Sequence, residues 1–214
     1  MSKFFKGDVT NGVVEFNLLD PAVGAGGTTA TVVTRNTGPN DVTKVVGDIT
    51  SSSGFYADSS VKGLVIGTSC TSIGSMAFYF CTALTGDLVI PDSVTFIGDN
   101  AFIFSPFSGS LTIGNSVTTI DLYAFYSCTG LTGDLVIPDS VTSIGGNAFA
   151  NCTGLTALYT NTPAASWVGT NALIITTALV NIYEGPDVTG QYSATLQGGS
   201  GMTVSAWTNY PNIP

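Results

Sequence analysis

The stretch LTGDLVIPDSVT occupies residues 84–95 and recurs without a change at residues 131–142, an offset of 47. Between the two lies a looser copy, SLTIGNSVT at residues 110–118, so the working period is 23 or 24 residues. An Ala-Phe pair keeps the same period at Ala77-Phe78, Ala101-Phe102, Ala124-Phe125 and Ala148-Phe149, with Ala172-Leu173 as a weaker version. An aliphatic residue stands four positions before each alanine: Ile73, Ile97, Ile120, Ile144 and Val168. Leu64, Leu88, Leu111, Leu135 and Leu158 form another register, and Cys81, Cys128 and Cys152 a further one in which Ser105 fills the gap. A unit this short cannot bury its own apolar side, whereas stacking unit on unit does so for all of them.

Within a unit, Leu88 and Ile90, then Val94 and Ile97, alternate as in strands on either side of Pro91-Asp92. Proline cannot donate to a ladder, and Asp and Ser favour turns, so the strand breaks there. Gly98 allows a bend, and the run to Phe102 reads as a short turn or half-helix. Each coil then adds one rung to a parallel sheet at about 4.8 Å per rung, so that five coils rise roughly 20–25 Å.

Units such as LVIPDSVTSIGGNAFANCTGLT at residues 135–156 resemble the BspA-like leucine-rich repeats, which are met in surface and adhesion proteins. The resemblance covers residues 61–173, and it implies a right-handed solenoid with a binding surface rather than an active site. The expected fold class is therefore mainly β with short helical turns: a leucine-rich-repeat solenoid of about five 23–24-residue coils. The tail extends the likeness through Ile182-Tyr183, Gly185, Tyr192, Trp207, Tyr210 and Ile213, so residues 174–214 are expected to form a C-terminal cap. Residues 1–60 are expected to form a small N-terminal β element for anchoring or assembly. It has strands at Val13–Asn17 and residues 29–34, and a decayed first coil at residues 42–47 with Phe55. In the unit holding Phe104, Ser105, Pro106, Phe107 and Ser108 the usual Cys-x-x-Leu is lost, and one corner should be reshaped.

Composition narrows the functions. The 214 residues are 44% hydrophobic, enough for a core, and none is histidine, the commonest general base and metal ligand. Formal charge is −9, and all five bases (Lys3, Lys6, Arg35, Lys44 and Lys62) precede position 63, leaving eight acids and no base in residues 63–214. Binding to nucleic acid or to an anionic membrane needs cations that this part lacks. The opening MSKFFKGDVT is followed by no apolar run of the kind a secretory signal needs, and the longest mostly apolar stretch, residues 173–180, is too short to span a bilayer.

Candidate chemistry is sparse. Cys128 and Cys152 share a register in adjacent coils, which permits either a disulfide or two small inward hydrophobes. Asp92 and Asp139, with Asn115 between them, form a ladder of oxygens that is either turn chemistry or a weak site for a hard cation such as Ca²⁺. No phosphate loop, dinucleotide fingerprint or nucleophile elbow is present, so neither catalysis nor a cofactor is expected. Phe104, Phe107, Tyr123 and Tyr126 cluster about the irregular unit, and Tyr79 and Phe80 follow the core phenylalanine closely. Such a group suits glycan or protein contact as well as corner packing.

These features lead to the expectation of a non-enzymatic structural or recognition protein of a virus particle, such as a phage decoration, fibre or tail component. A cellular surface adhesin or extracellular filament subunit is the alternative. The expected partners are other virion proteins or copies of the chain itself, reached through Lys3, Phe4, Phe5 and Lys6, and a host-surface protein or glycan.

Overall fold

The computed structural model describes residues 6–10, 13–17, 32–36, 42–46, 55–59, 61–161, 181–188 and 203–206. Each coil has three hydrogen-bonded sides. The first carries the leucine register in β5 (Gly63–Ile66), β7 (Leu88–Val89), β9 (Leu111–Thr112), β11 (Thr132–Ile137), β13 (Gly154–Thr160), β14 (Asn181–Glu184) and β15 (Thr203–Ala206). Pairing along it is parallel: Leu88 faces Leu111, Leu135 faces Leu158, and Leu158 faces Ile182. The second side is a parallel four-stranded sheet of β6 (Ser72–Ile73), β8 (Phe96–Ile97), β10 (Thr119–Ile120) and β12 (Ser143–Ile144), which lines up Ile73, Ile97, Ile120 and Ile144.

The third side is a turn rather than a strand. There every second N–H reaches the next coil, as in Phe78 N–H to the Ala101 carbonyl (2.7 Å) and Phe102 N–H to that of Ala124 (2.7 Å). The alternate N–H groups bond within their own coil, for example Ala77 to Gly74 and Tyr79 to Met76. Positive φ at Met76 (57°) and Phe80 (58°), repeated at Asn100, Phe104, Tyr123, Ser127, Asn147 and Asn151, accompanies this alternation. Among the described residues the only helical element is a 3-10 turn at Pro186–Val188.

The phenylalanines of the Ala-Phe pairs form one column: Phe78 to Phe102, Phe102 to Phe125 and Phe125 to Phe149 are each 5.2 Å between ring centres, with planes within 6°. Phe55 continues it at 5.0 Å from Phe78. Cys81, Cys128 and Cys152 are buried, unbridged thiols. Their S–H groups donate to the carbonyls of Phe55 (2.9 Å), Phe102 (3.1 Å) and Phe125 (3.0 Å), one coil back. Ser105 does the same for Phe78 (2.7 Å), so the column and the thiol register brace each other from coil to coil.

At the N-terminal side β1 (Lys6–Thr10), β2 (Val13–Asn17) and β3 (Val32–Asn36) run antiparallel, followed by β4 (Val42–Val46). β4 then pairs in parallel with β5, Thr43 beside Leu64 and Val45 beside Ile66, which is the pairing of a preceding coil. Val13–Asn17 is a strand as expected. The one expected over residues 29–34 instead begins at Val32 and ends at Asn36, while β1 had no sequence signal. Of the expected tail, Tyr192, Trp207, Tyr210 and Ile213 lie outside the described residues, as do Val168, Ala172 and Leu173. Ile182 and Tyr183 extend the leucine sheet.

Candidate recognition surface

A second set of aromatic residues runs along the outside of the turn side. Tyr56 stacks on Tyr79 (4.7 Å, 2°), Tyr79 meets Phe80 (6.2 Å), Phe80 meets Phe104 edge to face (5.6 Å, 72°), and Phe104 meets Tyr126 likewise (5.6 Å, 89°). Tyr126 then touches Tyr123 (5.4 Å, 81°), closing an unbroken chain of rings. Most exposed large hydrophobics among the described residues lie here: Tyr56 (53%), Met76, Phe80 (45%), Phe104 (38%) and Leu122, against only Val65, Val89 and Phe96 elsewhere.

The backbone makes this choice of residues unusual. Phe80, Phe104, Tyr123 and Met76 all sit at φ between 55° and 58°, a region that crowds Cβ and favours Gly, Asn or Asp. In the next coil the equivalent positions are Asn147 and Asn151, and neighbouring Tyr126 is replaced by Ala150. The fold therefore accepts small polar residues at this corner, and large rings there serve something other than chain geometry. Left-handed residues of this kind concentrate at functional sites.

Of the residues expected to form a surface, Phe104, Tyr123 and Tyr126 come together as described. Phe107 does not, and this corrects the sequence reading. Cys81 and Leu84 are three positions apart, but Ser105 and Phe107 are two. The one-residue deletion drops the Phe107 ring into the leucine position, where it is fully buried and packs edge-on against Phe102 (5.9 Å). Tyr56, Met76 and Leu122 were missed. The signal available for Tyr56 was its place directly after Phe55, as Tyr79 follows Phe78 and Tyr126 follows Phe125.

The acids are placed as turn and ladder groups. Asp92 Oδ1 accepts the Asn115 N–H (2.7 Å) in the next coil. Asp139 lies two rungs from Asp92, about 10 Å, too far for one cation to be held by both. Among the described residues no three Cys, Asp or Glu side chains gather as a metal site. Asp87 accepts the N–H (2.7 Å) and O–H (2.9 Å) of Ser110, bonds that hold its carboxyl below the usual range. Burial raises the Asp99 carboxyl; the Asn100 amide (2.6 Å) partly offsets this, and the charge of Asp121 adds to it. Burial also pushes the Cys128 thiol well up and the Cys152 thiol to about 12, so neither is poised as a nucleophile. Of the expected anchor, Lys3, Phe4 and Phe5 lie outside the described residues, and Lys6 opens β1 opposite Asn17. Among the described residues no helix is long and apolar enough to cross a membrane.

A family model described as a BspA type leucine rich repeat region matches residues 49–173 in 6 copies, beginning ahead of the expected residue 61 and taking in Phe55. A solved leucine-rich cell surface protein of Faecalibacterium prausnitzii A2-165 is 16% identical, with a TM-score of 0.33 over 73% of this chain and 69% of that one. No curated protein matches the chain.

Proposed function

The chain belongs to the BspA-type leucine-rich repeat family, and from that premise we propose that it is a non-enzymatic recognition protein working at a cell surface. The observation that carries this reading is the chain of outward rings from Tyr56 to Tyr123, laid on a scaffold whose interior is filled by stacked side chains. Exposed aromatic groups on a rigid support are what a partner buries when it docks. Coils stacked at regular intervals hold those rings in fixed positions and so limit the ordering entropy lost on binding. The family resemblance to surface and adhesion proteins supports the cell surface, the setting placed second from sequence. The virus particle placed first has no observation of the fold or family in its favour.

Two measurements test the proposal. An antibody to the solenoid is expected to label intact, unpermeabilised producing cells; label confined to permeabilised cells or to sedimented virus particles overturns the location. Beads coated with the full chain are expected to attach to a cell monolayer, and beads coated with the Phe80→Asn, Phe104→Asn, Tyr126→Ala variant to lose at least tenfold in attachment. Equal attachment by both refutes the assignment of the surface.

A further inference from the structure

We propose that the aromatic corner receives a lysine- or arginine-bearing peptide segment of a partner protein, with ring faces and the Asp99 and Asp121 carboxylates reading its positive charges. This rests on the recognition reading above and adds the chemistry of the partner. Charge complementarity carries it. Residues 63–214 hold eight acids and not one base, and the one base within the repeat array, Lys62, stands directly before β5 on the leucine side, where its carbonyl accepts the Thr85 N–H (2.6 Å). Asp121 stands two residues before Tyr123, and Asp99 directly precedes Asn100, which shares the left-handed register of Tyr123 and Met76. The Asp99 main-chain carbonyl accepts the Met76 N–H (2.9 Å), which sets Asp99 in the turn beside Met76, while its carboxylate accepts from the Asn100 amide (2.6 Å). Asp99 and Asp121 also lie close enough for the charge on one to bear on the other.

The faces of Tyr and Phe carry negative electrostatic potential and attract guanidinium or ammonium groups. The rings offer such a group a face, and the two acids at the Met76–Tyr123 end of the same turns supply the counter-charge. The rings of Phe80, Phe104 and Tyr126, in three successive coils, follow one another at 5.6 Å between centres. An extended peptide advances roughly 6.6–6.8 Å for each pair of residues and can set successive cationic side chains along the row. A neutral glycan would use the rings but not the charge.

The experiment measures binding of the full chain to immobilised 12-residue peptides in three sets of equal aromatic content: lysine- and arginine-bearing, neutral, and acidic. Glycans are arrayed beside them. Four proteins are compared: the wild type, Phe80→Asn with Phe104→Asn and Tyr126→Ala, Asp99→Asn with Asp121→Asn, and Asp87→Asn with Asp139→Asn. The last pair removes the same charge away from the corner. Far-UV spectra and melting confirm that each is folded. The expected result is binding to cationic peptides alone, at least tenfold weaker in the ring variant and in the Asp99/Asp121 variant, and within twofold of wild type in the Asp87/Asp139 variant. Equal weakening by both aspartate pairs means non-specific attraction and overturns the proposal. So does ring-dependent binding of neutral peptides or glycans, although that result leaves the recognition surface standing. Binding that the ring variant does not change overturns both.

Discussion

Phe102 and Phe104 are the same residue type two positions apart, and they separate scaffold from surface. Phe102 is fully buried, stacked between Phe78 and Phe125 at 5.2 Å and edge-on to Phe107. Replacing it with alanine opens a cavity inside the column, and Phe→Ala at buried sites costs about 3–5 kcal/mol. Phe104 is 38% exposed and holds φ at 57°. Asparagine there relieves left-handed crowding worth about 1 kcal/mol. It forfeits two edge-to-face contacts, with Phe80 and Tyr126, together about 1–2 kcal/mol at such an exposed site. The net for Phe104→Asn is therefore about 1 kcal/mol or less, several-fold below Phe102→Ala. Urea unfolding of the full chain followed by far-UV circular dichroism reads both, with the slope against urea checked for equality so that the midpoints are comparable. Equal losses for the two variants would refute the division, because Phe104 would then be a core residue and its ring no free surface.

Two further predictions concern the braces between coils. Ser105→Ala removes the hydroxyl that donates to the buried Phe78 carbonyl, and should lower stability by about 1–3 kcal/mol, whereas Ser105→Cys restores the donor used in the other coils and should lose less. Thermal melts of the two variants check this, and equal losses would count against the donor ladder. The buried thiols make stability sensitive to alkali. Below the ordinary thiol value of 9.0 both folded and unfolded states hold the proton. Between that value and about 12 only the unfolded state releases it, so stability falls as pH rises, on the order of 1 kcal/mol per pH unit for a thiol such as Cys152. A Cys128→Ser, Cys152→Ser variant is expected to show a shallower decline in urea midpoint between pH 9 and 11; an unchanged slope would remove the thiols as its cause.

The inward half of this protein was legible in the sequence because stacking leaves each register one option. Ile73, Ile97, Ile120 and Ile144 must face the same way if each coil is to cover its neighbour, and all four are buried. Ser105 was legible for the same reason, as the residue standing where cysteines stand in other coils. Phe107 was not: a one-residue deletion beside it shifted the register, and only packing shows whether a ring after a deletion swings in or out. The N-terminal strands were partly legible, since short alternating runs mark a strand but not its partners; the parallel pairing of β4 with β5 came from the structure.

The period of 23–24 residues by itself determined the solenoid, its phenylalanine column and the inward cysteines, because one repeated apolar pattern admits one way of hiding itself. The tertiary structure decided which outward residues meet. Tyr56 and Tyr79, Phe80 and Phe104, and Phe104 and Tyr126 are each separated by about a coil of sequence, and they touch only because stacking sets each coil directly over the last. It also decided that their corner is left-handed, a backbone state that asparagine and phenylalanine share here and that residue identity alone does not reveal.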